Sequence, residues 1–378
     1  MKLVNGLIGA TLVVTLTGCN LIGTAQGKVK TVVIDDDVAL HSTMDDTDVA
    51  ISKSERIALS EKITYDNLLR INNDEMFYTK DHSFYKTDIS NQKQTLLKEL
   101  SVREVSRDAS RALIMNNDGV FVYNLESDKI VKVSQPMDSD FSFADPKGKY
   151  ISFHNFDKSN YVFINTTTLK KTELNYKKLF NLKDVSLSNA IAYNDLFYIS
   201  SQSPKDGYAI YKLSTDHQKE LVLQLPHQND HIAYFEFLND QTIIFNGSYN
   251  EESGIFIYDL EKQVVTKVVS GGVDSEGTWT PFYSISPDGT KILFDTVVHE
   301  DDKFFNNIYL ANIEGNKLSK SIQIIEKAQL PAVISLMAHW SEDSSTFYIP
   351  GSNKGTTVYS NEAIDFISIY VLDKIKVK

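Results

Sequence analysis

Short apolar runs alternate with polar turn signals along most of this chain, the pattern of an all-β protein rather than of helices. The plainest copy is Ser286-Pro287-Asp288-Gly289-Thr290-Lys291-Ile292-Leu293-Phe294. Pro presets φ for a tight turn, Asp bonds the backbone ahead of it, and Gly takes the φ that side chains resist, so the segment reads as a turn feeding a buried strand. A second marker, a strand with an aromatic or aliphatic pair near its end, recurs along the chain. It appears around Phe84-Tyr85, Phe121-Val122-Tyr123, Val162-Phe163, Ile210-Tyr211, Phe256-Ile257-Tyr258, Ile308-Tyr309 and Ile369-Tyr370. The spacing of roughly 40 to 60 residues is near or somewhat above the period of a propeller blade.

Each marker strand is preceded by a turn and a strand, for example Asn73-Asp74 to Tyr78, Asn194-Asp195 to Ile199 and Asn239-Asp240 to Phe245. It is followed by a polar turn and an alternating strand such as Val264 to Val269, and another strand, such as Ile232 to Phe237, precedes the Asp turn. Four antiparallel strands per unit, here lettered A to D in chain order, repeated about an axis make a β-propeller. Seven blades are expected, with six and an irregular end as the alternative. The seventh unit supplies strand A at Ser335 to His339, then B and C, and the chain stops. The unassigned run Arg56 to Ile63 is therefore expected to complete the last blade as its strand D, which removes the open edges of an arc. On this reading the propeller spans residues 56–378 as one domain.

The amino-terminal segment is of another kind. Lys2 precedes an apolar stretch, Leu3 to Leu16, which ends in Leu16-Thr17-Gly18-Cys19. A basic start, an apolar run too short to span a bilayer comfortably and small residues at its exit are the parts of a secretory signal. The ending resembles the lipobox of bacterial lipoproteins. That resemblance implies cleavage after residue 18, a diacylglyceryl group on the Cys19 sulfur and an extracytoplasmic chain held to a bacterial membrane. Residues 19–55, with Asp35, Asp36, Asp37, Asp45, Asp46 and Asp48, have no clean periodicity and read as a solvated, lipidated tether. Their acids lack the glycine and terminal glutamate of a calcium loop.

The Pro-Asp-Gly-x-x-Ile-Leu-Phe copies resemble the TolB-like family of propeller repeats, relatives of WD repeats, over roughly residues 56 to 378, with Ser286 to Phe294 the strong copy. With the lipobox, the resemblance implies a propeller lipoprotein of a bacterial surface. The separate small domain of TolB has no counterpart here, so its partners do not carry over.

The formal charge of −12 disfavours nucleic acid, which needs a basic footprint. Cleavage before Cys19 makes the charge more negative still by removing Lys2. Cys19 is the sole cysteine, so neither an intrachain disulfide nor a thiol nucleophile in the lipidated chain is expected. No Gly-x-Ser-x-Gly, P-loop, dinucleotide fingerprint or His-Glu-x-x-His occurs, and no cofactor is indicated.

In a four-stranded meander the B–C loops and the D-to-A connections share one face. The B–C segments lengthen late in the chain, at Ser200 to Gly207, Asn246 to Gly254, Asp295 to Asn306 and Pro350 to Asp365. Long loops on a rigid scaffold are where function concentrates. Two connections on that face carry His227, Asp230 and His231, and Asp274, Glu276 and Trp279, with His299 and Asp301 in the sixth blade's loop. These are the candidate binding residues, with Trp279 as an anchor; the alternative is a solvated acidic rim. Two functions follow. One is a lipid-anchored, non-catalytic platform for an extracytoplasmic protein or ligand. The other is a surface enzyme of lyase or lactonase type, or a sugar-binding protein, with a metal in the channel.

Overall fold

The computed structural model describes residues 49–64, 67–135, 141–155, 158–180, 186–203, 207–214, 218–274, 277–300, 303–328, 338–351 and 368–378. They form a seven-bladed β-propeller. Blade 1 runs through Leu68–Asn72, Glu75–Lys80, Ser83–Asp88 and Lys93–Lys98. Blade 2 is Glu104–Val105, Arg111–Asn116, Gly119–Asn124 and Lys129–Ser134, and blade 3 is Phe141–Phe143, Tyr150–Asn155, Asn160–Asn165 and Lys171–Asn175. A single helical turn, Tyr176–Phe180, leads to blade 4: Ser186–Tyr193, Leu196–Ser203, Gly207–Leu213 and Lys219–Gln224. Blade 5 is His231–Asn239, Thr242–Tyr249, Glu252–Asp259 and Val264–Ser270. Blade 6 is Tyr283–Ile285, Lys291–Glu300 and Lys303–Glu314, with its outer strand divided into Lys317–Leu318 and Ile322–Ala328. Blade 7 is His339–Trp340, Thr346–Gly351 and Ser368–Val377, closed by Ile51–Thr64.

The closing strand is the one the sequence points to. Ile57 pairs with Leu372 and Ile63 with Ile369, antiparallel. The strand starts earlier than expected, at Ile51 opposite Val377, so residues 51–55 belong to the last blade. Arg56 clasps Asp373 with two hydrogen bonds of 2.8 Å. Ile63, 2% exposed, packs with Tyr348 and Leu372 of blade 7 and with Leu68, Ile71 and Tyr78 of blade 1.

The core is a ring of inter-blade layers. Seven apolar clusters occupy the seven gaps between neighbouring blades, from blades 1 and 2 round to blades 7 and 1. Each is filled by the middle of strands B and C, such as Ile292, Leu293 and Phe294. Strands D are at the rim, and Lys93–Lys98 and Lys129–Ser134 are mostly exposed. Strands A are innermost, and those of blades 1 and 2, 4 and 5, and 7 and 1 touch.

The Pro-Asp-Gly turn is repeated in three blades with one hydrogen-bond pattern. In blade 6, Asp288 Oδ1 accepts from Ser286 Oγ and Thr290 N, and Ser286 Oγ accepts from Lys291 N. In blade 2 the same roles fall to Asp108, Ser106, Ser110 and Arg111, and in blade 7 to Asp343, Ser341, Ser345 and Thr346. The residue after the Asp has positive φ in all three: Gly289 at 71°, Ala109 at 56° and Ser344 at 60°. Asn73-Asp74 and Asn194-Asp195 make tighter two-residue turns, both residues at positive φ, which Asn and Asp tolerate.

Candidate functional site: an elaborated face and a charged axial channel

On the face shared by B–C turns and D-to-A connections, the expected long loops are strands. Strands B and C of blade 4 stay paired to Ser203 and Gly207, those of blade 5 to Tyr249 and Glu252, and those of blade 6 to Glu300 and Lys303. The correction has a physical cause. Polar stretches such as Asn246-Gly247-Ser248-Tyr249 lack the apolar alternation that marks a strand in sequence, yet the backbone ladder continues through them. Pro350 to Asp365 lies almost wholly outside the described residues. Likewise Ser270 to Pro281 is not a plain connection but holds a small hairpin, Gly272–Asp274 paired with Gly277–Trp279.

The candidate residues of this face divide accordingly. Asp230 is 1% exposed, and its carboxylate accepts from the backbone N–H groups of His227 at 3.1 Å, Asn250 at 2.9 Å and Glu251 at 2.9 Å. It holds the blade 5 hairpin tip, where Asn250 and Glu251 both have positive φ. His231, expected on a loop, opens strand A of blade 5, and its Nδ1 lies 2.9 Å from Ser248 Oγ. His227 is exposed, with Nε2 3.1 Å from Asn250 Oδ1. These three therefore converge on one hairpin.

Trp279 sits on the neighbouring hairpin, its indole against Gly272, where a Cβ would lie 2.1 Å from Nε1. Ser253 Oγ donates to the Trp279 carbonyl at 2.9 Å, tying that hairpin to blade 5. Asp274 and His299 are described in backbone only, within Gly272–Asp274 and Lys291–Glu300. Cys19, Glu276 and Asp301 lie outside the described residues. Among the described residues no three His, Cys, Asp or Glu side chains are gathered as metal ligands.

A second constellation lies on the axis. In each blade, one residue of strand A opposes the middle of the buried triplet of strand B. In blades 1, 2, 5 and 7 these are Arg70 opposite Phe77, Glu104 opposite Leu113, Glu236 opposite Ile244 and His339 opposite Tyr348. The other three are Ser142, Ile191 and Ser284. They occupy equivalent positions on the seven innermost strands, and several lean on the next blade. Glu104 Oε2 accepts from Phe143 N at 3.1 Å, and Ser284 Oγ donates to the Ala338 carbonyl at 3.4 Å.

Arg107, from the A–B turn of blade 2, reaches across the lumen to Glu236 of blade 5, Nη1 to Oε2 at 3.0 Å. Tyr234 and Tyr283 flank this bridge, ring centroids 5.9 Å apart. Side-chain exposure of 31% for Arg107, and 38% for Tyr234, shows water reaching them from the lumen although protein surrounds them. The charge of Glu236 raises the Arg107 pKa, while burial raises those of Tyr234 and Tyr283. Burial also pushes the Glu104 carboxyl up to about 7.

Arg70 is situated otherwise. Its Nη2 donates to the Trp340 carbonyl at 3.3 Å, its buried Nε has no partner, and no carboxylate among the described residues pairs with it. Burial, then repulsion from Arg107, lowers its pKa to about 9, against partial relief from Asp108. A guanidinium is still protonated at neutral pH under those conditions. His339 is 5% exposed with neither ring nitrogen hydrogen-bonded among the described residues, and burial, then the Arg70 charge, holds its pKa well below the ordinary value.

No protein-family model matches the chain, and no curated protein matches it in sequence. Similarity to solved structures is of fold. A chain in the crystal structure of the mitotic checkpoint complex aligns with a TM-score of 0.49 at 12% identity, covering 86% of this chain and 94% of that one. The extracellular domain of the hybrid two-component system BT4673 from B. thetaiotaomicron aligns with a TM-score of 0.48 at 11% identity, over 85% of this chain and 39% of that one. Dihydro-heme d1 dehydrogenase NirN aligns with a TM-score of 0.41 at 11% identity, over 85% and 79%. At such identities the likeness carries no ligand across.

The axial residues carry a sequence signal that is easy to pass over. Three of the seven are charged or imidazole side chains inside short apolar strands: Arg70 in Leu68-Leu69-Arg70-Ile71, Glu236 between Phe235 and Phe237, His339 before Trp340. In an inner strand such a residue must face either a core or the lumen, and burial of an unpaired charge in a core is costly.

Proposed function

We propose that this chain is a TolB-like, lipid-anchored extracytoplasmic propeller that acts without catalysis as a platform for a protein partner, presenting its hairpin face away from a bacterial membrane. The observation that carries the reading is directional. The closing strand begins at Ile51 beside Val377, and Lys378 N donates to the Ala50 carbonyl at 2.9 Å. The preceding chain therefore joins the propeller on the face of the A–B and C–D turns. The extended hairpins of blades 4, 5 and 6 stand on the opposite face. Lipid on Cys19 would then hold the first face toward the bilayer, two acyl chains being enough for stable anchoring where one is marginal. Hairpins on a rigid ring suit recognition of a folded surface.

The test uses the full chain in its own cells. A photo-crosslinking residue at Asn250, on the blade 5 hairpin, is expected to give one discrete protein adduct, whereas the same residue at Asn91, on the opposite face, gives none. Cys19→Ala is expected to move the chain from the membrane fraction to the soluble fraction. Adducts from Asn91 alone, or a chain that stays membrane-bound without Cys19, would refute the orientation and the anchor respectively.

A further inference from the structure

We propose that the axial channel is a binding site for a small oxyanion, a carboxylate or a phosphate, held by the Arg70 guanidinium and the ring N–H of His339. This does not rest on the hairpin-face reading, because the residues are different and lie on the axis.

Three observations converge. First, the two cations of the channel are treated unequally. Arg107 has Glu236 at 3.0 Å, while Arg70, among the described residues, has a carbonyl at 3.3 Å and no carboxylate. A guanidinium taken from bulk water without a counter-ion is costly, and its planar fork matches the oxygens of carboxylate and phosphate. Second, the group beside it is also unsatisfied. His339 is 5% exposed, and both ring nitrogens lack a partner among the described residues. Buried polar atoms in native proteins are nearly all hydrogen-bonded, so an orphaned imidazole next to an orphaned guanidinium Nε marks the place of a group that accepts from both. A neutral imidazole donates from one nitrogen, as an anion requires.

Third, the competing explanation, a second bridge, is spent. Of the two acids at these strand positions, Glu236 is engaged by Arg107, and Glu104 accepts from the Phe143 N–H at 3.1 Å. Asp108 is near enough to ease the Arg70 charge, but its Oδ1 accepts from Ser106, and from Ser110 N and Oγ. The positive charge of Arg70 is left without a carboxylate partner among the described residues.

Among the described residues a basic depression of about 440 Å³ lies on the turn face between blades 2 and 3, lined by Arg111, Lys147 and Lys149. Arg111 there already donates to Gly148 O at 2.8 Å and Thr166 Oγ1 at 2.9 Å, and Lys149 is paired with Asp195. It serves as the control for surface binding of anions.

The experiment is isothermal titration of the purified full chain, in low-chloride buffer, with acetate in one arm and inorganic phosphate in the other. Saturable one-to-one binding in either arm is expected, and the arm that responds identifies the oxyanion. Arg70→Met is expected to weaken it about ten-fold or more, the loss of a charge-assisted bidentate contact, and Lys147→Gln to leave it unchanged. No saturable binding in either arm, or binding lost in Lys147→Gln and kept in Arg70→Met, overturns the proposal. Should Arg70→Met fail to fold, wild-type crystals grown with selenate decide it. An anomalous peak within hydrogen-bond distance of Arg70 supports the site, and peaks elsewhere or none refute it.

Discussion

Arg107 of blade 2 and Glu236 of blade 5 stand three blades apart in the ring, the largest separation seven blades permit, and their side chains meet at 3.0 Å. Only groups on the axis can join blades so placed. The bridge fixes where the lumen is and how narrow it becomes. Its pairing is partly shielded from water, with Glu236 at 12% side-chain exposure.

Truncating one partner leaves the other charge uncompensated in the lumen. Arg107→Met or Glu236→Met alone is expected to cost about 2 kcal/mol, less than a fully buried pair because water reaches both groups. The double change is expected to recover most of that loss. Urea unfolding of the four proteins of this cycle is the measurement, and additive single effects would show that the two charges do not interact.

Closure of the ring depends on Ile51–Thr64. Ile63→Ala, deleting side-chain carbons at a 2% exposed site between blades 7 and 1, is expected to cost about 2–4 kcal/mol. Removing residues 1–64 bares the edge of Ser368–Val377 and is expected to give oligomers or aggregates in size-exclusion chromatography. A monomeric, unchanged truncation would contradict the latch. The exposed Arg56 is a weaker contributor, and Arg56→Gln is expected to cost no more than about 1 kcal/mol.

Two channel groups give opposite pH dependences. Glu104, lifted by burial to about 7, holds its proton more tightly folded than unfolded. Its contribution is best below the ordinary pKa of 4.5 and declines as pH rises to about 7, on the order of 3 kcal/mol in all. His339, held below 6.5, takes up its proton only on unfolding, so stability falls as pH drops below 6.5. In Glu104→Gln, stability is expected to rise with pH up to about 6.5 more steeply than in wild type. In His339→Phe it is expected to fall between about 4.5 and 7. Denaturant midpoints across that range check both slopes, and parallel profiles in all three proteins would sink the assignment.

The turn shared by blades 2, 6 and 7 makes a finer test. Ala109 occupies the position that Gly289 fills, at φ 56°. Ala109→Gly relieves that conformation and is expected to stabilise by about 0.5 kcal/mol after the entropy of glycine is counted. Ser344→Gly is expected to destabilise, because Ser344 Oγ accepts the Asp288 N–H of blade 6 at 3.0 Å. Thermal melting of the two variants separates conformational relief from the lost inter-blade bond; shifts of the same sign would refute it.

The sequence alone determined the all-β class, the repeat and the strand that closes the circle, while the choice of seven blades over six came from the structure. These follow from local alternation, turn chemistry and the arithmetic of strands, which are written residue by residue: Pro287-Asp288-Gly289 needs no distant partner to make its turn. What only the tertiary structure decided is which polar residues meet. Asp230 looked like a ligand and is the acceptor for three backbone N–H groups, since hydrogen-bond partners across a hairpin are set by register, not by spacing. Arg70, Glu104, Glu236 and His339 are scattered over 270 positions and gather because seven inner strands place equivalent residues around one axis. Ring closure brings together residues remote in the chain, and no local pattern in the sequence records that geometry.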